Sequence, residues 1–174
     1  MKKVFYIFGI LAMGILASCQ KDPVENTACV DMAGDWYVTI DAAKNGQVVY
    51  EDVYDKGYVH MFTSNTAANI ATEMILTDNR DDPFWNFKVK VTADPAAMTF
   101  SVSNGQNLVV DYEDMTMVVT GGKIVKGGAQ TPSGMPADAI EFYITFSDDE
   151  DGPKYGWDSF YIHGYRYAGF AGDE

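Results

Sequence analysis

Hydrophobic and polar positions alternate with a period of two over much of the chain after residue 35. The pattern is clearest in residues 36–40, 85–91, 98–102 and 140–146. Successive side chains of an extended chain point to opposite faces, so this alternation is typical of half-buried β-strands. Weaker patterns predict further strands at residues 47–53, 57–63, 73–78, 107–112, 115–120 and 156–167.

Turn-forming residues separate these segments, as they do in proteins built from short strands. Residues 148–153 (DDEDGP) predict an acidic hairpin tip, and residues 65–71 alone carry helical spacing and predict one helical turn. Eight to ten strands joined in sequence order predict an all-β, antiparallel barrel or sandwich. The predicted turns are Asn45-Gly46, Asp55-Lys56-Gly57, Asp94-Pro95, Asn104-Gly105 and Gly121-Gly122.

The first residues follow a different pattern, in which two lysines precede the apolar run 4–16. Such a run suits a signal peptide and falls short of the roughly 20 apolar residues that span a bilayer. It ends in Leu16-Ala17-Ser18-Cys19, which resembles the lipobox of bacterial lipoproteins. The resemblance implies that residues 1–18 are removed and that Cys19 receives a lipid. An ordinary secretory signal with a chance cysteine is the alternative.

The lipobox resemblance also implies a domain organisation and a location in the cell envelope. Residues 19–32 form a lipidated N-terminus and tether, and residues 33–174 form the barrel domain. The lipid on Cys19 attaches the protein to a membrane of the cell envelope. Asp after the cysteine commonly retains such lipoproteins in the inner membrane, so Gln20 favours the outer membrane. Both the periplasmic and the exterior face remain open.

Composition limits the kinds of partner. The chain has 174 residues, which suits a single domain, and its 47% hydrophobic content disfavours disorder. A formal net charge of −13 disfavours binding to nucleic acid, and it also disfavours attachment to anionic lipid through a polybasic segment. With Cys19 lipidated, Cys29 has no partner for a disulfide, and we interpret it as a buried, small apolar residue. No protein partner is specified.

Motifs for catalysis or metal binding are absent from the sequence. There are two histidines, His60 and His163, and no Gly-x-Ser-x-Gly elbow places a nucleophile. The acidic segment departs from a calcium loop, with Ser147 at its first position and Asp158 at its twelfth. We therefore predict no metal site, no cofactor and no catalytic residue, and we favour a binding protein over an enzyme.

The sequence Gly34-Asp35-Trp36 opens the first predicted strand and resembles the signature of lipocalin-type calycins. In those proteins the tryptophan plugs one end of the barrel and an arginine on the last strand stacks on it, a role that the resemblance gives to Arg166. Roughly residues 30–172 also resemble a family of bacterial lipoproteins described as lipid-binding putative hydrolases, with a lipocalin-like barrel. The resemblance rests on residues 85–91, 121–124, 131–138, 140–143 and 164–170, and no catalytic residue comes with it.

These observations predict a barrel that holds a hydrophobic or amphipathic, lipid-like small molecule in its cavity. The segment 127–138 is predicted to be a loop at the mouth, with Met135 over the cavity. Candidate ligand-contacting side chains are those expected to point inward: Trp36, Trp85, Phe87, Phe100, Phe142, Phe160 and Ile162.

Two alternatives stay open. An eight-stranded barrel is narrow enough for its own side chains to fill it. An aromatic stripe of Tyr161, His163, Tyr165 and Tyr167 would then be the surface for a protein or glycan partner. The other alternative is a hydrolase, which the sequence supports less.

Overall fold

The computed structural model describes residues 26–78, 83–170 and 172–173. The predicted signal peptide, the lipobox with Cys19 and the first half of the predicted tether lie outside these residues. The described elements are β1 (Gly34–Lys44), β2 (Gln47–Tyr50), β3 (Val59–Asn65), β4 (Glu73–Thr77), β5 (Lys88–Asp94), β6 (Thr99–Gln106), β7 (Thr116–Gln130), β8 (Pro136–Phe146), α1 (Asp151–Tyr155) and β9 (Ser159–Arg166).

Eight of these strands form a closed antiparallel barrel. Strands β3 to β9 pair with one another in sequence order, and β1 pairs with both β3 and β9. The closing β1–β9 ladder runs from Trp36↔Arg166 to Ala43↔Ser159. Strand β2 is a ninth strand that pairs with the end of β1. The predicted all-β, lipocalin-like barrel of eight to ten strands is therefore confirmed.

Alternation along the strands fills the barrel with apolar side chains. In β1, Trp36, Val38 and Ile40 have no exposed surface, while the residues between them are partly exposed. The core extends beyond the strands, because Cys29 and Met32 precede β1 and are only 1% and 0% exposed. The packed domain therefore begins before Ala33, within the segment predicted as tether. Burial of Cys29 confirms its interpretation as a small core residue.

The two ends of the barrel differ. We call the end that holds the start of β1 and the β7–β8 turn the closed end. The opposite end, the mouth, carries the connections β2–β3, β4–β5, β6–β7 and β8–β9, the last of which contains α1. Among the described residues, no helix has the length and apolarity needed to cross a membrane.

Two predicted turns are wrong, because the strands continue through them. Asn104-Gly105 lies within β6 and Gly121-Gly122 within β7, and the pairing register shifts beside both. Gly121 has a φ of 64°, which lets a strand bulge rather than reverse direction. The strand predicted over 107–112 does not form, because buried Asn107 accepts hydrogen bonds from the N–H groups of Lys88 and Val109.

Three other segments also differ from the prediction. The predicted helical turn over 65–71 does not form, because Asn65 ends β3 and the residues after it form non-helical turns. The predicted acidic hairpin tip overlaps α1, which Gly156 caps with a φ of 99°, a conformation that favours glycine at a helix end. The predicted loop 127–138 is mostly strand, since β7 and β8 pair as far as Gln130↔Pro136. The actual turn, residues 131–135, lies at the closed end.

Candidate functional site

Aromatic side chains fill the mouth of the barrel. Phe160 of β9 lies among them, with ring centroids 5.3 Å from Trp85 and 5.9 Å from Tyr54. Trp85 stacks on Phe146 at 4.6 Å with an interplanar angle of 8°. Offset and edge-to-face contacts of this kind stabilise clusters beyond the area they bury. We call this group the aromatic plug: Tyr54, Phe84, Trp85, Phe146, Trp157 and Phe160.

Asp78 positions one side of the aromatic plug. It follows β4, is 1% exposed, and accepts the backbone N–H groups of Trp85 at 2.9 Å and Phe87 at 2.7 Å. Burial raises the pKa of Asp78, and these N–H bonds oppose that shift. The indole N–H of Trp85 donates to Asp148 at 3.0 Å. The plug is thus fixed to the β4–β5 and β8–β9 connections.

Asp149 positions the other side. Its Oδ1 accepts the N–H groups of Asp151 and Gly152 at 2.9 and 3.0 Å, which satisfies the first turn of α1. Its Oδ2 accepts the indole N–H of Trp157 at 3.3 Å. One carboxylate therefore sets both the short helix and the tryptophan that follows it.

A pocket of about 510 Å³ opens beside the aromatic plug, between the β2–β3 connection and α1. The Tyr54 hydroxyl is buried and makes no hydrogen bond with any described residue. Burial raises the pKa of Tyr54, and the negative charges of Asp149 and Asp151 raise it further. We call this the mouth pocket; it is lined by Tyr50, Glu51, Asp52, Val53, Tyr54, Asp151, Tyr155 and Trp157.

The predicted ligand-contacting residues mostly form the packed core, and their contact with a ligand stays a prediction. Trp36 lies at the closed end, whereas Phe100 and Phe142 pack edge to face at 5.6 Å along the barrel. Trp85 is half-buried and joins Phe160 in the plug. The six others are at most 3% exposed: Trp36, Phe87, Phe100, Phe142, Phe160 and Ile162.

Arg166 seals the closed end as the calycin resemblance implied. Its guanidinium carbon lies 4.3 Å from the ring centroid of Trp36, within the range of a cation–π interaction. It also donates to the Ala33 carbonyl at 2.7 Å and to Asp138 at 3.1 Å. Met135 lines a different pocket at this end, so its predicted place at the mouth is wrong.

The predicted outward stripe divides into two clusters. Tyr161 packs at a tilt against Tyr143 and stacks on His163, each with ring centroids 4.9 Å apart. Tyr165 belongs to the second cluster, packs 5.4 Å from Tyr58, and is only 3% exposed. Tyr165 is therefore covered by the protein itself, whereas the other three side chains of the stripe are partly exposed. The role of the stripe with a partner stays a prediction.

Two histidine–carboxylate pairs lie on the outer surface. His60 Nδ1 lies 2.8 Å from Asp35, and His163 Nε2 lies 3.0 Å from both Asp41 and Thr39. A Ser-His-Asp relay uses the two ring nitrogens separately, one for the hydroxyl and one for the carboxylate. His163 contacts both groups through one nitrogen. Within the described ranges, no group of three or more His, Cys, Asp or Glu could hold a metal ion.

Comparison with known proteins identifies one family. A family model described as lipid-binding putative hydrolase matches residues 21–171, nearly the whole chain after the predicted signal peptide. No curated protein matches the chain. The family resemblance predicted from the sequence is thus confirmed, and the description of that family includes the predicted class of ligand.

Proposed function

The chain belongs to the family of lipid-binding putative hydrolases, and from this membership we propose that it binds a hydrophobic or amphipathic, lipid-like small molecule at the mouth of its barrel. The observation that carries the proposal is the mouth pocket, an aromatic-walled cleft directly beside the aromatic plug. Small-molecule sites commonly combine apolar walls with a few polar groups that fix orientation. The mouth of a barrel is one of their usual places.

The packed interior favours entry at the mouth over residence deep in the barrel. Phe142 and Ile162 have no exposed surface, so a tail reaching them must first displace other side chains. Tyr54 and Trp85 are only partly buried; Tyr54 lines the mouth pocket and packs against both Trp85 and Phe160. We expect the apolar tail to lie against Tyr54 and Trp85. Displacement of these two rings would let the tail enter the barrel interior, where the sequence predicts the ligand cavity. Burial contributes about 25 cal/mol per Å² of apolar surface.

The Tyr54 hydroxyl gives this site a polar contact. A buried hydroxyl without a partner costs about 1–3 kcal/mol. A ligand oxygen that accepts its hydrogen bond recovers this cost, which no described residue does. Tyr54 therefore serves both as an apolar wall and as an orienting donor.

The same proposal includes attachment to the outer membrane through a lipid on Cys19. The leader ends in a lipobox-like sequence, and the family match begins at residue 21, directly after it. Only a short segment separates Cys19 from Cys29, which is packed in the core. The barrel is thereby kept near the bilayer, where lipid-like ligands are concentrated.

Titration with a neutral amphiphile, monododecanoyl glycerol, tests the binding proposal. We expect saturable binding below the micellar concentration, with a change in tryptophan emission, because Trp157 lines the mouth pocket. Tyr155→Ala removes a half-exposed wall ring and should weaken binding about tenfold, equivalent to about 1.4 kcal/mol. Tyr112→Ala is the control, since this similarly exposed tyrosine lies outside the pocket. Absence of saturable binding would reject the proposal and favour the outer aromatic clusters as the functional surface.

A further inference from the structure

The rim of the mouth pocket is acidic. Glu51, Asp52 and Asp151 line it directly. Glu51 and Asp151 form no salt bridge with any residue in the described part of the chain. Three lysines are near: Lys154 lies on α1, Lys44 lies beside Gly156, and the backbone N–H of Lys56 donates to Asp52, but none of them lines the pocket. The charged side chains that line the pocket itself are therefore all carboxylates.

The walls of the pocket offer ring faces in two orientations. Tyr50 meets Trp157 edge-on, at 6.1 Å and 76°, whereas Tyr155 stacks on Trp157 at 5.8 Å and 18°. Ring faces carry negative partial charge and attract cations, and aromatic cages bind quaternary ammonium groups in this way. Aromatic walls and an acidic rim thus favour the same kind of ligand group.

The ammonium group of a lysine already lies over one of these rings. Lys154 Nζ lies 4.5 Å from the ring centroid of Tyr155, within cation–π range. The negative potential also reaches the floor of the pocket, where Asp149 and Asp151 raise the pKa of the Tyr54 hydroxyl in addition to the effect of burial. A fatty-acid carboxylate or a sulfate would meet repulsion at the rim and floor alike.

We propose that the mouth pocket selects amphiphiles with a cationic ammonium head, which it holds against the rings of Tyr50, Tyr155 and Trp157. The inference rests on the proposed binding of lipid-like molecules and adds the class of head group. The head lies at the acidic rim and the tail lies against the aromatic plug. Neutral amphiphiles bind more weakly because their heads lack the charge attraction, and anionic ones bind least.

Three probes with the same decyl tail test this: decyltrimethylammonium, decyl maltoside and decyl sulfate, titrated below their micellar concentrations into the full mature protein. We expect the ammonium probe to bind at least about tenfold more tightly than the sulfate. Glu51→Gln combined with Asp151→Asn should weaken ammonium binding about tenfold and leave maltoside binding unchanged. Glu113→Gln combined with Asp114→Asn removes two charges outside the pocket and should leave both unchanged.

The outcomes separate this inference from the proposed function. Equal binding of all three probes, unaffected by the pocket double variant, overturns head-group selection and leaves lipid binding intact. Equal loss of ammonium binding in the pocket and control variants shows general charge attraction, which also overturns it. Failure of all three probes to bind overturns both. Retention of circular dichroism and melting temperature identifies variants that are folded.

Discussion

At the closed end, Asp138 joins the β7–β8 hairpin to the last strand. Its carboxylate accepts the Gly127 N–H at 3.0 Å and the Arg166 Nε–H at 3.1 Å, and lies 3.4 Å from Lys126 Nζ. Burial alone would raise the pKa of Asp138, but these hydrogen bonds and positive charges lower it below its ordinary value. The Arg166 side chain also covers Trp36, so ionisation of Asp138 supports the packing of this end.

This shift predicts how stability depends on pH. Because the folded-state pKa is lowered, the stabilisation from Asp138 is fully present above its unfolded value near 3.8 and is lost as pH falls through the folded value. Asp138→Asn removes this titration. We expect the variant to be less stable at pH 6 and to lose less stability between pH 6 and pH 3 than the wild type, as measured by urea unfolding.

Glu113→Gln controls for the loss of one negative charge, since Glu113 is exposed and distant from this network. It should reproduce the wild-type fall in stability over the same pH range. An Asp138→Asn variant whose loss between pH 6 and pH 3 equals that of the wild type would contradict the assignment.

At the scale of strands, the barrel closes where β9 pairs with β1, and a glycine of β9 lies at the closest approach of the two backbones. A Cβ atom on Gly164 would lie 2.7 Å from the Cα of Val38 and would also overlap the carbonyl oxygen of Tyr37. Gly164 pairs with Val38 on one side and with Ile140 on the other. Neighbouring backbones on both sides leave no direction in which β9 can move freely.

Gly164→Ala is therefore expected to destabilise the protein by about 1–3 kcal/mol, the usual cost of forced overpacking. The measurement is the free energy of unfolding in urea, with near-ultraviolet circular dichroism to report aromatic packing. Gly172→Ala is the matched control, because nothing lies within 4 Å of its Cβ position, and it should be close to neutral. Equal stability of both variants would show that β1 and β9 do not approach this closely.

Strands were predictable where alternation alone decides the structure. Residues 36–40 and 140–146 follow the period of two and lie in β1 and β8. The alternation over 85–91 predicts a strand that begins three residues before β5. Asp78 accepts hydrogen bonds from the backbone of Trp85 and Phe87 and holds both residues outside β5. Cross-chain hydrogen bonds of this kind leave no local pattern in the sequence.

At the scale of the whole molecule, the sequence predicts the filled interior better than the binding site. Alternation identified core residues such as Trp36 and Phe142. The mouth pocket instead joins residues 50–54 to residues 151–157, two segments about a hundred positions apart at the connections β2–β3 and β8–β9. Only the closing of β1 on β9 brings these connections together. The sequence therefore does not identify Tyr54, Asp149 and Trp157. Their roles depend on closure of the barrel rather than on the local alternation of hydrophobic and polar residues.

The two cysteines allow a direct test of the proposed membrane attachment. Cys29 is 1% exposed, its thiol lies 3.3 Å from the Ala71 carbonyl oxygen, and burial raises its pKa, so it is a poor acceptor for a lipid. Mass spectrometry of the protein from its bacterial host should show a chain beginning at Cys19 with acyl chains attached. Two or three acyl chains suffice for stable anchoring. Cys19→Ser should abolish the added mass and release the protein from the outer-membrane fraction, whereas Cys29→Ser should retain both. An acylated Cys19→Ser chain, or a wild-type chain with an unmodified Cys19, would contradict lipid attachment at this residue.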